Sequence, residues 1–192
     1  MVAATRERAL EAAVGLVGTE GVRALTHARV DQRAGLPPGS TSNWFRTRRA
    51  LIEGVVDWIS DRERDDLEPA LMPIAGGLEG LVEGLCAVVE VQIEPFAVRT
   101  RARYALFLEL AGDPELGERL RQQHQQFQQW FEGIVTEVGV RDPRTTTRAL
   151  MALLDGLMLH RLILEPGLDM RPIVTRAVRD IAGPGLERKR RR

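Results

Sequence analysis

The chain is organised around one stretch, THARVDQRAGLPPGSTSNWFRTRRALI, which runs from Thr26 to Ile52. Thr26 is a residue type that caps helix starts and Gly35 is one that ends helices, so a short helix is predicted between them. The run Pro37-Pro38-Gly39 then predicts a second short helix that ends near Trp44. Two helices joined by a few residues with glycine in the bend are typical of a helix-turn-helix, whose second helix enters the DNA major groove.

The flanking sequence extends this pair into a three-helix head. Between Thr5 and Gly18 apolar side chains recur every three or four residues, which predicts an amphipathic first helix. Phe45 follows the second short helix and is predicted to anchor its end in the core. A fourth helix is predicted from about Thr47 up to an exposed acidic stretch, Asp61–Glu68. The helix breakers that follow are predicted to separate head from body: Pro69, Pro73, Gly76 and Gly77.

The rest of the chain predicts further helices. An apolar stripe runs from Leu78 to Gln92, and a helix from Phe96 to Ala111 follows. Asp113-Pro114 and Asp142-Pro143 each combine a capping residue with proline at the first helical position, so each predicts a helix start. In the helix from Phe96, three side chains are expected on the apolar face, Tyr104, Phe107 and Leu108, and three on the polar face, Arg99, Arg101 and Arg103.

Composition narrows the function classes. The chain has 192 residues, 44% of them hydrophobic, and no net charge, but residues 1–50 hold eight arginines against four acidic residues. Subtraction leaves 19 basic and 23 acidic groups elsewhere, and such an asymmetry is a hint of a segment that faces nucleic acid. A lone Cys86 excludes an internal disulfide and suits a reducing cytoplasm. No apolar run is long enough for a secretory signal or a membrane span.

Enzyme signals are weak in this sequence. The three histidines lack the spacing of metal ligands, and no phosphate-binding glycine loop or serine elbow is present. We therefore expect a protein that is not an enzyme and that needs no cofactor or metal.

The combination of head, linking helix and helical body resembles the TetR family of one-component transcription regulators. The resemblance covers nearly the whole chain and is most specific in the head. It implies an all-α fold of about nine helices, with a helix-turn-helix DNA-binding domain at 1–47 and a ligand-binding and dimerisation domain at 48–187. In that body 48–68 would be the linking helix, and 188–192 would be a basic tail, either a disordered end or a second DNA contact. The residues that carry the resemblance are Thr26, Val30, Ala34-Gly35-Leu36, Trp44-Phe45, Arg48 and Leu51.

Two residues of the head depart from the family pattern. Asp31 stands where a small alanine is usual, and its carboxylate could turn toward the amides at the start of the recognition helix. Ser42 stands where a tyrosine is common.

The head supplies candidates for both kinds of DNA contact. Phosphates are neutralised by basic groups and by helix N-termini, and base edges are read by side chains that reach into the groove. The phosphate candidates are Thr26, His27, Arg46, Arg48 and Arg49, while Arg29 could face either DNA or solvent. Candidates in the recognition helix are Pro38, Gly39, Ser40, Thr41, Ser42, Asn43 and Trp44, among which Thr41 could touch a thymine methyl group and Asn43 could pair with adenine.

The body is expected to pair two chains and to hold a ligand. One recognition helix covers only a half-site, so a homodimer is expected, and in the family the last two helices form the interface. The interface candidates, which could also be plain core, are Leu150, Leu153, Leu157, His160, Arg161, Ile173, Ala177, Val178 and Ile181. The candidates for a pocket that takes a small hydrophobic ligand, each of which could equally be core, are Leu85, Val89, Gln92, Phe96, Tyr104, Phe107, Phe127, Trp130, Phe131, Met151, Leu154 and Met158.

These expectations combine into one hypothesis. The protein is a homodimeric, cytoplasmic regulator of double-stranded DNA, a repressor released from a palindromic operator by the ligand, with no membrane association. The alternative is a helical dimeric scaffold or small-molecule-binding protein that does not bind DNA.

Overall fold

The computed structural model describes residues 2–71 and 77–182, and the regular elements within those ranges are all helical. The predicted all-α class with about nine helices is confirmed. A 3-10 turn, Val22–Ala24, follows the first helix, and a π-helical turn, His160–Leu164, follows the eighth. The helices are α1 Val2–Glu20, α2 His27–Ala34, α3 Ser40–Trp44, α4 Arg48–Leu71, α5 Gly77–Ile93, α6 Ala97–Leu110, α7 Pro114–Val138, α8 Pro143–Leu159 and α9 Arg171–Ala182.

The two predicted Asp-Pro helix starts are confirmed. Asp113 accepts hydrogen bonds from the backbone N–H groups of Glu115 and Leu116 at 3.0 and 2.8 Å, where α7 begins. Asp142 accepts one from the N–H of Thr145 at 3.1 Å, where α8 begins. A carboxylate satisfies otherwise unpaired donors at a helix N-terminus, so these aspartates set where the two helices begin.

The chain forms two compact units, and the unit that contains the head also contains part of the predicted body. The first unit combines Met1–Glu63 with Phe96–Gln122, and the second combines Arg64–Pro95 with Gln123–Arg192. Side chains of α1, α2, α4, α6 and the start of α7 share the core of the first unit. The predicted head boundary at residue 47 therefore differs from the packing, because α6 and the start of α7 bury their apolar faces against the head helices.

Close approach in the first unit depends on two glycines. A Cβ at Gly18 would lie 2.0 Å from the carbonyl oxygen of Val98, so α1 and α6 can meet only with glycine there. A Cβ at Gly54 in α4 would lie 2.4 Å from the ring of Phe45. Phe45 is itself 5% exposed, which confirms that it anchors the end of the recognition helix in the core.

Several predictions for α4 and α6 were wrong because the sequence pattern does not show which side chains find a partner in the fold. Arg99 was expected to face solvent but is buried, with its guanidinium 4.1 Å from the ring centre of Phe96. Glu63 was placed in an exposed acidic stretch but is buried and lies 3.0 Å from Arg103. Leu108 was expected on the apolar face but is 83% exposed.

The predicted break after α4 falls later than expected. Pro69 lies inside α4, which continues to Leu71, since a proline near a helix end removes only one backbone donor. Pro73, Gly76 and the basic tail at 188–192 lie outside the described residues. Among the helices of the described ranges, none combines the length and apolar character that a membrane span needs.

Candidate nucleic-acid interface

The turn between α2 and α3 has the backbone geometry that its sequence predicts. The Thr26 hydroxyl accepts a hydrogen bond from the N–H of Arg29 at 3.4 Å, which confirms it as the cap of α2. Gly35 ends α2 with a φ of +62°, and Gly39 precedes α3 with a φ of +86°. These left-handed conformations favour glycine, so both bends depend on it.

The start of α3 is held by a carboxylate from α2. Asp31 is 3% exposed and accepts hydrogen bonds from the N–H of Gly39 and the N–H of Thr41, each at 2.8 Å. Its Oδ1 also accepts one from the hydroxyl of Thr41 at 2.5 Å. The sequence-based suggestion that Asp31 turns toward these amides is confirmed.

This arrangement corrects the role predicted for Thr41. Its side chain is fully buried and its hydroxyl is used by Asp31, so it does not project toward a DNA groove. Ser40 is half-buried and donates its hydroxyl to the carbonyl of Pro37 at 2.6 Å. Trp44 is half-buried and packs against the core of the first unit. Within the described ranges, no hydrogen bond holds the exposed side chains of Ser42 and Asn43, and Pro38 and Gly39 are also exposed.

Two of the predicted phosphate contacts bind backbone carbonyls within the head. The Nε2 atom of His27 lies 2.6 Å from the carbonyl oxygen of Phe45, and because a carbonyl only accepts, this nitrogen donates. Arg48 donates from Nη2 to the carbonyl of Val22 at 2.8 Å and from Nε to that of Leu25 at 3.3 Å. His27 therefore joins the start of α2 to the end of α3, and Arg48 joins α4 to the 3-10 turn.

Arg49 is bound to acidic residues of α4 and of the start of α7. Its guanidinium lies 3.2 Å from Asp113, 2.7 Å from Glu115 and 3.4 Å from Glu53. The backbone N–H of Leu116, and then Arg49, hold the pKa of Asp113 below its usual value. The hydrogen bond that Arg49 donates to Asp113 in turn raises the pKa of Arg49. No sequence signal pointed to this cluster, because Asp113 and Glu115 are more than 60 residues from Arg49.

The remaining arginines of the head divide into paired and unpaired side chains. Arg29 forms an ion pair with Glu20, and both side chains are exposed. Arg46 is exposed and forms no ion pair or hydrogen bond in the part of the chain that the structure describes. Thr26 is also exposed. Among the arginines predicted to contact phosphate, Arg46 is therefore the one that forms neither an ion pair nor a hydrogen bond within the described ranges.

The predicted pocket residues fall in both units. In the first unit Phe96, Tyr104 and Phe107 are half-buried. In the second, half-buried Phe127 and Trp130 have ring centres 5.2 Å apart, which is close to the contact distance of an aromatic pair. Met151 is the third half-buried residue of the predicted pocket in that unit. The buried residues of the predicted pocket there are Leu85, Val89, Gln92, Phe131, Leu154 and Met158.

A polar groove of about 580 Å³ lies along one face of α7, opposite the first turns of α8. No sequence pattern had suggested it, because a polar helix face ordinarily indicates a solvated surface. It is lined by Gln125, Gln128, Gln129, Glu132, Gly133, Thr136, Arg144 and Arg148. None of these residues belongs to the predicted pocket.

The predicted dimer residues divide by exposure. Leu150, Leu157 and Val178 are buried within the single chain, so they contribute to its core. Arg161 is half-buried and donates to the carbonyl of Leu168 at 2.8 Å. Leu153 and Ala177 are half-buried, and His160, Ile173 and Ile181 are exposed. Three exposed apolar side chains nearby were missed, namely Leu159, Ile163 and Leu164.

Within the described ranges, no group of three histidine, cysteine, aspartate or glutamate side chains could hold a metal ion. Cys86 is buried, and burial raises the pKa of its thiol.

Solved structures share this fold. A member of the TetR family from Streptomyces coelicolor A3 superposes with a TM-score of 0.75, covering 93% of this chain and 98% of that one at 23% identity. The multidrug binding protein EbrR, solved in complex with ethidium, superposes with a TM-score of 0.68, covering 92% of this chain and 97% of that one at 23% identity.

Sequence comparison gives the family. The HTH-type transcriptional regulator BetI of Cronobacter sakazakii (strain ATCC BAA-894) is 26% identical over 163 residues, or 81% of this chain and 78% of that protein. Residues 76–184, more than half of the chain, match the family described as Tetracyclin repressor-like, C-terminal domain. With a helix-turn-helix head on one side of that match, the chain belongs to the TetR family of transcriptional regulators.

Proposed function

We propose that this protein is a homodimeric repressor that binds a palindromic operator in double-stranded DNA and is released from it by a small hydrophobic ligand in the cytoplasm. The observation that carries the proposal is the exposed face of α3. Ser42 and Asn43 project from it without partners in the described chain, next to the uncompensated charge of Arg46. Polar side chains beside a free arginine fit a groove lined by base edges and flanked by phosphates.

The division of labour follows from the partners of each side chain. Arg46 would neutralise a phosphate, which gives affinity that falls with salt. Asn43 would form paired hydrogen bonds with adenine, and such a contact discriminates by about 1–3 kcal/mol against other bases. Three other arginines would support DNA binding indirectly, because their contacts within the chain stabilise the fold of the head: Arg29, Arg48 and Arg49.

Dimerisation is supported by exposed apolar side chains at the end of the second unit. Ile163 is 67% exposed and Leu164 is 65% exposed, both in the π-helical turn after α8. Exposure of apolar side chains to water is unfavourable, and a second copy of the chain that covered them would remove this cost in free energy. The remaining members of this apolar set are Leu159, Ile173 and Ile181.

A hydrophobic ligand is supported by partly accessible aromatic and sulfur side chains in the second unit. Phe127, Trp130 and Met151 are half-buried. The structural relative EbrR is described as a multidrug binding protein. A ligand that prefers the form of the dimer with low DNA affinity would weaken operator binding by its differential affinity, typically about 1–3 kcal/mol.

The direct test is footprinting of the full chain on the DNA upstream of its own gene at two salt concentrations. A protected palindrome whose affinity falls with salt is expected. A thermal-shift screen of hydrophobic compounds, followed by DNA release, would then identify the ligand class. The absence of any protected palindrome, together with salt-independent behaviour, would refute the regulator proposal and leave the alternative of a helical scaffold.

A further inference from the structure

The recognition helix α3 has no means of its own to define where it begins. It has five residues, and a helix of that length is not stable in isolation. Its N-cap position is Gly39, which has no side chain to accept the first backbone donors. Something outside α3 must therefore fix its start.

Asp31 supplies that contact from one helix away. Its two carboxylate oxygens accept the N–H of Gly39, the N–H of Thr41 and the hydroxyl of Thr41 at 2.5–2.8 Å. Asp31 and Thr41 are both buried, so water does not compete for these bonds. Hydrogen bonds to a charged acceptor are about twice as strong as neutral ones, so the link from α2 to α3 is a firm one.

The same contact changes what α3 can offer to DNA. Backbone N–H groups at a helix start commonly bind phosphate. Here two of them are already occupied by a carboxylate of the chain itself. The contribution of α3 then lies in its exposed side chains Ser42 and Asn43, which follow Thr41 directly in the helix.

We propose that Asp31 is a positioning residue that determines base specificity, because it fixes the start and therefore the rotation of the helix that carries Ser42 and Asn43. The proposal rests on the proposed function of operator binding and names the internal contact that makes the reading selective. Hydrogen bonds to base edges weaken steeply with misalignment, so a loosened α3 loses selectivity before it loses general attraction to DNA. Asp31 does not touch phosphate, so the salt dependence should stay the same.

The variants separate the parts of this contact. Asp31→Asn keeps the size of the side chain but turns an NH₂ group toward a backbone donor. Thr41→Val removes only the hydroxyl bond, and Thr41→Ser restores it. Asp142→Asn is the matched control, because it alters the same cap chemistry at the start of α8 in the other unit. Val55→Ala, in the buried core of the first unit, controls for loss of stability alone.

The measurement uses the full chain. A preferred site is first selected from randomised DNA, and dissociation constants for that site and for a scrambled duplex are then measured at two salt concentrations. For Asp31→Asn the ratio of scrambled to preferred dissociation constants should fall by about tenfold, the cost of roughly one lost base contact per site. Scrambled-DNA affinity and the salt slope should stay within about twofold of the parent. Thr41→Val should give a smaller loss, and Thr41→Ser, Asp142→Asn and Val55→Ala should keep the ratio.

Different outcomes overturn different statements. An unchanged ratio in Asp31→Asn, an equal loss on both duplexes, or the same loss in Val55→Ala would overturn the role of Asp31 while leaving operator binding in place. A parent protein that selects no sequence at all would overturn the proposed function, and the role of Asp31 with it.

Discussion

The recognition helix α3 and the C-terminal pair α8–α9 leave opposite chemistry exposed. Around α3, the polar groups of Asp31, His27 and Arg48 are bound within the chain, and the polar side chains Ser42 and Asn43 remain exposed. In the π-helical turn after α8, the large apolar side chains of Ile163 and Leu164 are exposed. The first surface suits a hydrated, charged partner and the second suits a partner that can exclude water.

The difference teaches which residues of each region can carry function. In the head, a side chain that is predicted to contact DNA is available to do so only if its hydrogen-bonding groups are not already bound within the chain. In the C-terminal helices, an apolar side chain that is predicted to contact a second copy is available to do so only if it is not already buried within the chain. Substitutions test both statements, because a side chain that holds the fold together and one that contacts a partner respond differently when they are replaced.

The largest effect is expected at Leu157. It is 5% exposed, so Leu157→Arg would bury an unpaired charge and destabilise the second unit by roughly 4 kcal/mol or more. Leu164→Arg changes a side chain that is 65% exposed, so the chain should stay folded and become monomeric. Thermal unfolding and sedimentation measure the two effects. A folded monomer from Leu157→Arg, or an unchanged dimer from Leu164→Arg, would reverse this assignment of core and surface.

The next effect is expected at Asn43. Its exposed amide has no partner in the described chain, so Asn43→Ala should leave folding unchanged. Preference should relax at one base position per half-site, at a cost of about 1–3 kcal/mol. Selection from randomised DNA measures this, with Ser40→Ala as a control on the half-buried side of the helix. If every base preference survives in Asn43→Ala, the exposed face of α3 is not the reading surface.

Arg46 and Arg48 form a closely matched pair with different expected roles. Arg46→Ala should reduce the salt slope by about one and change stability by less than about 0.5 kcal/mol. Arg48→Ala removes two hydrogen bonds to backbone carbonyls and should lower stability by about 1–2 kcal/mol. Binding at two salt concentrations and denaturant unfolding distinguish them. Equal salt slopes for the two variants would show that pairing within the chain does not decide which arginine meets DNA.

Local patterns predicted the parts of this structure that depend on neighbours in sequence. The aspartates at 113 and 142 cap their helices, and Gly35 ends α2, because capping involves residues within one turn. Phe45 was recognised as an anchor because a large apolar side chain beside a short polar helix is favourably buried in the core.

Contacts over long sequence separations escaped prediction. Arg49 meets acidic residues more than 60 positions away, and Glu63 pairs with Arg103, which is 40 positions away. Thr41 was misplaced because a five-residue helix is too short for periodicity to show which side is buried. The helix-turn-helix was thus predicted correctly as a segment, while the burial and hydrogen bonding of each side chain depended on tertiary contacts.

The smallest effect is expected from the charge of Asp113, and it compares the two units directly. The N–H of Leu116 and then Arg49 lower the pKa of Asp113, and the N–H and hydroxyl of Thr145 lower that of Asp142. A carboxyl with a lowered pKa stabilises the fold at pH values above its unfolded pKa of about 4 and stops doing so as the pH falls through its folded pKa. Asp113→Asn and Asp142→Asn should therefore each lower stability at neutral pH and lose that effect in acid.

Salt separates these two aspartates. Asp113 also forms an ion pair with Arg49 at the surface of the first unit, so part of its contribution should be screened by added salt. The main partners of Asp142 are uncharged groups of Thr145, so its contribution should change less. Denaturant unfolding of both variants at neutral pH, in low and high salt, measures the difference. If salt changed the stability loss equally in the two variants, the ion pair of Arg49 with Asp113 would contribute nothing to the stability of α7. Arg49 would then be a candidate for DNA contact together with Arg46.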